Sequence, residues 1–144
     1  MALFLTGEYR HQVDEKMRIR IPAKFKEALG ESPFITAGPD GALIVMPYLD
    51  AVEQMEAAFG DIKLSSQSAS PEHLKEARLL ASSGFRAVED NQGRIVLPSA
   101  LIKHGKIQKD IITIGMHKRL EIWSTENWEN YLSPKKDTDN AKKK

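Results

Sequence analysis

The chain carries one pattern twice. DEKMRIRIPAKF, beginning at Asp14, returns as DNQGRIVLPSAL, beginning at Asp90, 76 residues later. At that offset Asp14 matches Asp90, Arg18 matches Arg94, Ile19 matches Ile95, Ile21 matches Leu97, Pro22 matches Pro98 and Phe25 matches Leu101. After a one-residue gap the match resumes, with Thr36, Gly38, Leu43 and Val45 answered by Thr113, Gly115, Leu120 and Ile122. A tandem duplication explains both runs. Each unit is too long for a solenoid repeat and short for an independent core, so the two copies are expected to complete each other.

Periodicity within a copy predicts strands around a tight loop, a short helix, a second strand pair and a closing helix. Tyr9, His11 and Val13 alternate with Arg10, Gln12 and Asp14, and Ile19 and Ile21 alternate with Arg18 and Arg20, the period of a half-buried strand. Glu15, Lys16 and Met17 make the turn between them. Pro22 suits the first turn of a helix ending at Leu29, with Gly30 as a left-handed cap, and Pro98 with Gly105 repeats the arrangement. Phe34 to Thr36 and Leu43 to Met46 flank Gly38-Pro39-Asp40-Gly41, a hairpin signal; Ile111 to Ile114 and Leu120 to Trp123 are the equivalent pair. Asp50 as N-cap and Glu53 as its capping-box partner predict a closing helix that buries Val52, Met55 and Phe59 and stops at Gly60. Ser124 and Trp128 mark a shorter counterpart. Between the copies, the polar stretch SSQSAS leads into a helix starting at Ser70-Pro71-Glu72 that has no equivalent in the other copy. The segment after Pro134, KKDTDNAKKK, lacks apolar residues to pack and is expected to be disordered.

Composition narrows the function classes. The 144 residues are 41% hydrophobic and 28% charged, as in ordinary globular chains, and the absence of cysteine excludes disulfides and thiolate metal sites. MALFL is too short for a signal-peptide core and no stretch is long enough to span a bilayer, so a cytoplasmic location and no membrane partner are expected. His11, His73, His104 and His117 lack metal-ligand spacing, and no nucleophile motif or phosphate-cradling loop occurs. The chain is read as a non-enzyme without metal or cofactor.

Charge is informative in its distribution, since the net value is only +1. Between Arg10 and Lys26 lie Arg10, Lys16, Arg18, Arg20, Lys24 and Lys26 against Asp14 and Glu15, whereas the matching part of the second copy balances Arg86 and Arg94 against Glu89 and Asp90. Arg18 and Arg20 project from one side of a strand beside Lys16. Two readings are open for Arg18: a bidentate contact to guanine, with Lys16, Arg20 and Lys24 neutralising phosphates, or a brace across the hairpin to Asp14. Bracing is the favoured role of Asp14 and Asp90, because a carboxylate repels phosphate. On this linear count Arg18 is expected to matter more to DNA binding than Arg94, which a bridge to Asp90 explains at least as well.

The run GEYRHQVDEKMRIRIPAKF, the second DxxxR at Asp90 to Arg94 and the helix between the copies resemble the MraZ family, within the AbrB-like swapped-hairpin barrels. The resemblance covers residues 1 to about 132. It implies an α+β, mainly β fold: an intrachain swapped-hairpin barrel of two pseudo-symmetric repeats, 1–60 and 83–133, joined by a linker and inserted helix at 61–82 and followed by a tail at 134–144. It also implies a cytoplasmic, nucleoid-associated transcriptional regulator. Such a protein binds double-stranded DNA at direct repeats before the division and cell-wall gene cluster and assembles as a homo-oligomeric ring. Lys16, Arg18, Arg20, Lys24, Arg10 and Arg94 are the DNA-binding candidates, and Asp14, Arg18, Asp90, Gly93 and Arg94 form the loop motif. Met17 stands where the family usually has glycine and where the second copy has Gly93. If that position needs a positive φ, Met17 costs about 1 kcal/mol or forces a different turn. A different class of function is an antitoxin-like protein-interaction module, but such antitoxins usually have one copy and an acidic tail.

Overall fold

Alternating and continuous apolar runs make the strands, and every strand among the described residues pairs with one of the other copy. The computed structural model describes residues 4–59 and 71–134. The SSQSAS linker, the stop at Gly60 and the KKDTDNAKKK tail lie outside them. The first copy forms β1 (Glu8–Gln12), β2 (Arg18–Arg20), α1 (Ala23–Leu29), β3 (Phe34–Ala37), β4 (Leu43–Met46) and α2 (Tyr48–Phe59). After α3 (Pro71–Ser83), the second forms β5 (Phe85–Arg86), β6 (Arg94–Val96), α4 (Ser99–Gly105), β7 (Asp110–Met116), β8 (Arg119–Ser124) and α5 (Thr125–Leu132). The fold is mixed α/β, and its paired strands are antiparallel.

Six strands form one sheet in the order β1-β7-β8-β4-β3-β5, and β2 pairs with β6 as a separate ribbon. Exchanging each strand for its counterpart in the other copy leaves that order unchanged when read from the opposite end. The first strand of each copy therefore pairs with the hairpin of the other: β1 with β7, and β5 with β3. The β2–β6 and β4–β8 pairs join counterparts directly.

One face of the sheet holds the main core. Ile35, Leu43, Val45, Ile111, Leu120 and Ile122 meet Ile19, Ile21, Ile95 and Leu97 from the ribbon and its continuations, Phe25 and Leu29 from α1, and Leu101 from α4. Ile19 and Ile95 are cross-strand partners, each 1% exposed, so the ribbon is anchored by its inward side chains. Burial of one such side chain contributes about 1.5–3 kcal/mol. On the opposite face, Phe34, Ile44 and Met46 pack with Ala51 of α2, and Trp123 meets Trp128 and Tyr131 of α5. Helix α3 packs on α2 and β3, and Ser83 Oγ accepts the Ala37 amide at 3.1 Å.

Several local expectations change. Helix α2 begins at Tyr48, and the Pro47 carbonyl accepts the Asp50 and Ala51 amides at 3.0 and 3.1 Å. Asp50 therefore lies inside the first turn, where its charge suits the helix dipole, instead of capping it. Gly30 has φ 75, but in the second copy Lys106 takes the left-handed cap at φ 52, and Gly105 is the last helical residue. A Cβ on Gly105 would lie 3.1 Å from Ile107, so close packing accounts for that glycine. Tyr9 is 43% exposed because β1 is a sheet edge, whereas Val13 beyond it is buried. Met55 and Val52 are half-buried. Ser124 does cap α5, accepting the Asn127 amide at 3.1 Å. Among the described residues no helix is long and apolar enough to cross a membrane, and no cluster of His, Asp and Glu is arranged to hold a metal.

Candidate nucleic-acid interface

The two DxxxR segments fold into the same loop. Asp14 Oδ1 accepts the amides of Lys16 and Arg18, both at 2.9 Å, and Oδ2 accepts Arg18 Nε at 2.6 Å. Asp90 repeats this, with the Gln92 amide at 2.8 Å, the Arg94 amide at 2.9 Å and Arg94 Nε at 2.9 Å. Backbone bonds close each loop: Met17 N–H donates to the Asp14 carbonyl and Gly93 N–H to that of Asp90, each at 3.0 Å. Both residues just before the arginine have positive φ, 58 at Met17 and 76 at Gly93, so methionine keeps the glycine turn and bears its strain.

The aspartates are tuned by these bonds. Desolvation is the largest single influence on Asp14 and pushes its pKa up, but the Arg18 amide and guanidinium with the Lys16 amide together outweigh it and hold the carboxyl below its usual range. For Asp90 the Arg94 amide leads, opposed by desolvation and aided by the Gln92 amide and the Arg94 guanidinium, with the same downward result. Each brace uses Nε, which leaves the Nη hydrogens of the guanidinium unspent on the aspartate. Bracing and outward recognition are therefore compatible in one arginine.

Strand pairing brings the loops to opposite ends of one ribbon. Arg18 faces Val96, Ile19 faces Ile95 and Arg20 faces Arg94, so with the isoleucines buried all three arginines lie on the outer side. Val96, 60% exposed, lies among them. Arg20 Nε donates to the Gln92 carbonyl at 3.1 Å, and Lys26 of α1 reaches Glu89 at 3.2 Å. Both cations belong to the first copy in sequence and to the second loop in space. The linear surplus of charge in the first copy thus gives no reason to rank Arg18 above Arg94.

The remaining candidates are spread more widely. Lys16 is exposed at the tip of the first loop. Lys24, at the start of α1, lies on the ribbon side of the sheet with its ammonium 5.0 Å from the Phe25 ring centre and 5.8 Å from that of Tyr9. Arg10 is not brought to the ribbon. It pairs opposite Ile112 on the sheet face that carries α5 and meets Glu8 at 2.7 Å and Glu129 at 4.0 Å. The sheet separates it from Arg18, Arg20 and Arg94. His11 lies half-buried against Thr113, with Nε2 2.7 Å from Oγ1, and burial lowers its pKa. Lys26 and Glu89 are additions that a linear reading counted as charges without placing. The pseudo-symmetric pairing of β2 with β6 is the signal that would have found them.

A family model described as "MraZ protein, putative antitoxin-like" matches residues 86–144. A protein of Caldanaerobacter subterraneus subsp. tengcongensis is 41% identical over 127 residues, spanning 88% of this chain and 85% of its own length. This chain belongs to the MraZ family. Other MraZ relatives include one from Clostridium tetani, 40% identical over 125 residues, and one from Lactobacillus gasseri, 34% identical over 125 residues. Each of these two alignments covers 87% of this chain and 84% of the relative. All three relatives bear the name transcriptional regulator MraZ. A stretch of 127 residues in a chain of 144 necessarily reaches into both copies.

Proposed function

We propose that this chain is a sequence-specific DNA-binding transcriptional regulator whose reading element is the β2–β6 ribbon. The observation that carries this is Arg20 facing Arg94 across a strand pair, with Arg18 two residues along the same outer side. Like charges placed directly opposite each other destabilise a sheet, so this placement costs the fold and suits a polyanion. A two-stranded ribbon fits the major groove. Arg18 is two residue rises from Arg20, about 7 Å, which matches roughly two base-pair steps of about 3.4 Å.

On this reading the Asp14 and Asp90 braces aim the guanidinium forks of Arg18 and Arg94 at guanine edges, while Lys16, Arg20 and Lys24 meet phosphates. No cofactor is needed. The names of the relatives support transcriptional regulation, and the crossing of first strands between copies supports an intrachain swapped-hairpin barrel built from 1–60 and 83–133. The family resemblance adds a ring of identical chains on direct repeats before the division and cell-wall genes. Cytoplasmic, nucleoid-associated action follows from the same reading.

Neighbours related by rotation in a ring present the ribbon in the same sense along DNA, so direct repeats about 10 base pairs apart are the expected operator. Binding to one, two and three repeats should rise steeply through effective concentration, and inserting about half a helical turn between two repeats should remove the gain. Arg18→Ala and Arg94→Ala, checked for folding, should each weaken specific binding by about 1–3 kcal/mol. Better binding to a palindrome, or indifference to the half-turn insertion, would overturn the direct-repeat mechanism. Unchanged binding by both arginine variants would remove the ribbon as the reader.

A further inference from the structure

We propose that Glu89 limits DNA affinity by holding Lys26 away from the phosphate backbone; the inference rests on the ribbon being the DNA-reading surface. Lys26 Nζ sits 3.2 Å from Glu89 Oε2 and 3.4 Å from Oε1, astride both carboxylate oxygens. The ammonium also lies 3.4 Å from the place a Cβ would occupy on Gly93, so it rests against the tip of the second loop. Helix α1 thus supplies a cation to the loop of the other copy, and the residue just before Asp90 occupies it.

The matching positions at the first loop are filled differently. Val13 corresponds to Glu89 and is buried in the core, while Ile102 corresponds to Lys26 and packs against that core, as does Met17 in the place of Gly93. The fold therefore accepts apolar packing at this site. The Lys26 and Glu89 side chains remain 42% and 33% exposed, and pairs this accessible add little stability. Their distinctive effect is electrostatic. The carboxylate occupies a lysine beside Arg20 and Arg94 and adds a charge that repels phosphate.

The test uses the full-length chain and two duplexes, one with three direct repeats and one of scrambled sequence, across about 50–200 mM salt. Glu89→Gln should tighten binding to both duplexes by the same factor, because phosphate contacts carry no base information. For each engaged chain the plot of log affinity against log salt should steepen by about 0.9, an additional loss of about 3.5-fold over that fourfold salt range. Glu89→Ala should steepen it equally. Lys26→Gln should cancel the steepening in the Glu89→Gln background and leave the slope of the otherwise unaltered chain unchanged. With melting curves confirming folded proteins, an unchanged slope in both Glu89 variants overturns the proposal, as does a flatter slope from Lys26→Gln alone. If the unaltered chain binds neither duplex, the DNA-reading proposal fails as well; if it binds and only the Glu89 gain is missing, Glu89 alone has been misassigned.

Discussion

Met17 and Gly93 permit a measurement of backbone strain in two copies of one loop. Their φ values are 58 and 76, and the hydrogen bonds around them are the same in kind and length to within a few tenths of an ångström. A side chain at positive φ costs about 1 kcal/mol relative to glycine. Met17 offsets part of this because its side chain is half-buried against the core. Half the value of a fully buried methionine is roughly 1 kcal/mol. Met17→Ala keeps the strain and loses the packing, so it should destabilise by about 1 kcal/mol. Met17→Gly loses the same packing and relieves the strain, so it should be close to neutral. At the second loop a Cβ would meet only Lys26 Nζ at 3.4 Å and Glu89 Oε1 at 4.0 Å, which leaves room for it. Gly93→Ala should therefore cost about 1 kcal/mol from backbone alone. Urea unfolding of the full-length variants, compared at equal m value, gives the four stabilities needed. The gap between the two Met17 variants should equal the cost of Gly93→Ala. A neutral Gly93→Ala, or a Met17→Gly less stable than Met17→Ala, would refute the strain argument.

Two other outcomes follow from the pairing and the braces. Fragments 1–66 and 67–134 each separate β1 from β7, β2 from β6 and β4 from β8, so by circular dichroism and sedimentation each should be unfolded or associated; a cooperative melt from a monomeric fragment would contradict mutual completion. Stability should also fall with acid in two stages. Burial lowers the pKa of folded His11, so the unfolded chain takes up the proton first and a shallow loss begins as pH drops below about 6.5. The depressed carboxyls of Asp14 and Asp90 support the fold above their unfolded pKa of about 3.9, and that support disappears as pH falls through the folded values. Urea midpoints across pH should show both stages, with Asp14→Asn and Asp90→Asn flattening the lower one; a midpoint that rises between pH 7 and 5 would reverse the His11 sign.

The loops and hairpins were legible in the sequence because their causes are local. Asp14 and Asp90 reach amides two and four residues ahead, and Leu43 to Met46 pair back on Phe34 to Ala37 across a short turn contiguous with both. The repeat also made the pairing between copies readable, since strands of each copy pair with strands of the other. Helix limits were less legible: α2 starts two residues before Asp50, with the Pro47 carbonyl accepting its first amides, and α4 ends at Gly105, which packs against Ile107, while Lys106 takes the left-handed cap. Charge placement was legible within a loop, where Arg18 and Arg20 share one side of a strand and the aspartates brace the arginines, but not between copies. Counting along the chain assigns Arg20 and Lys26 to the first loop and Arg10 to the same basic surface, but strand exchange moves the first two to the second loop and leaves Arg10 behind the sheet. Local hydrogen bonds depend on residues a few positions apart, whereas an electrostatic surface depends on distance in space, and here the partners of β1 and β2 lie in the other copy.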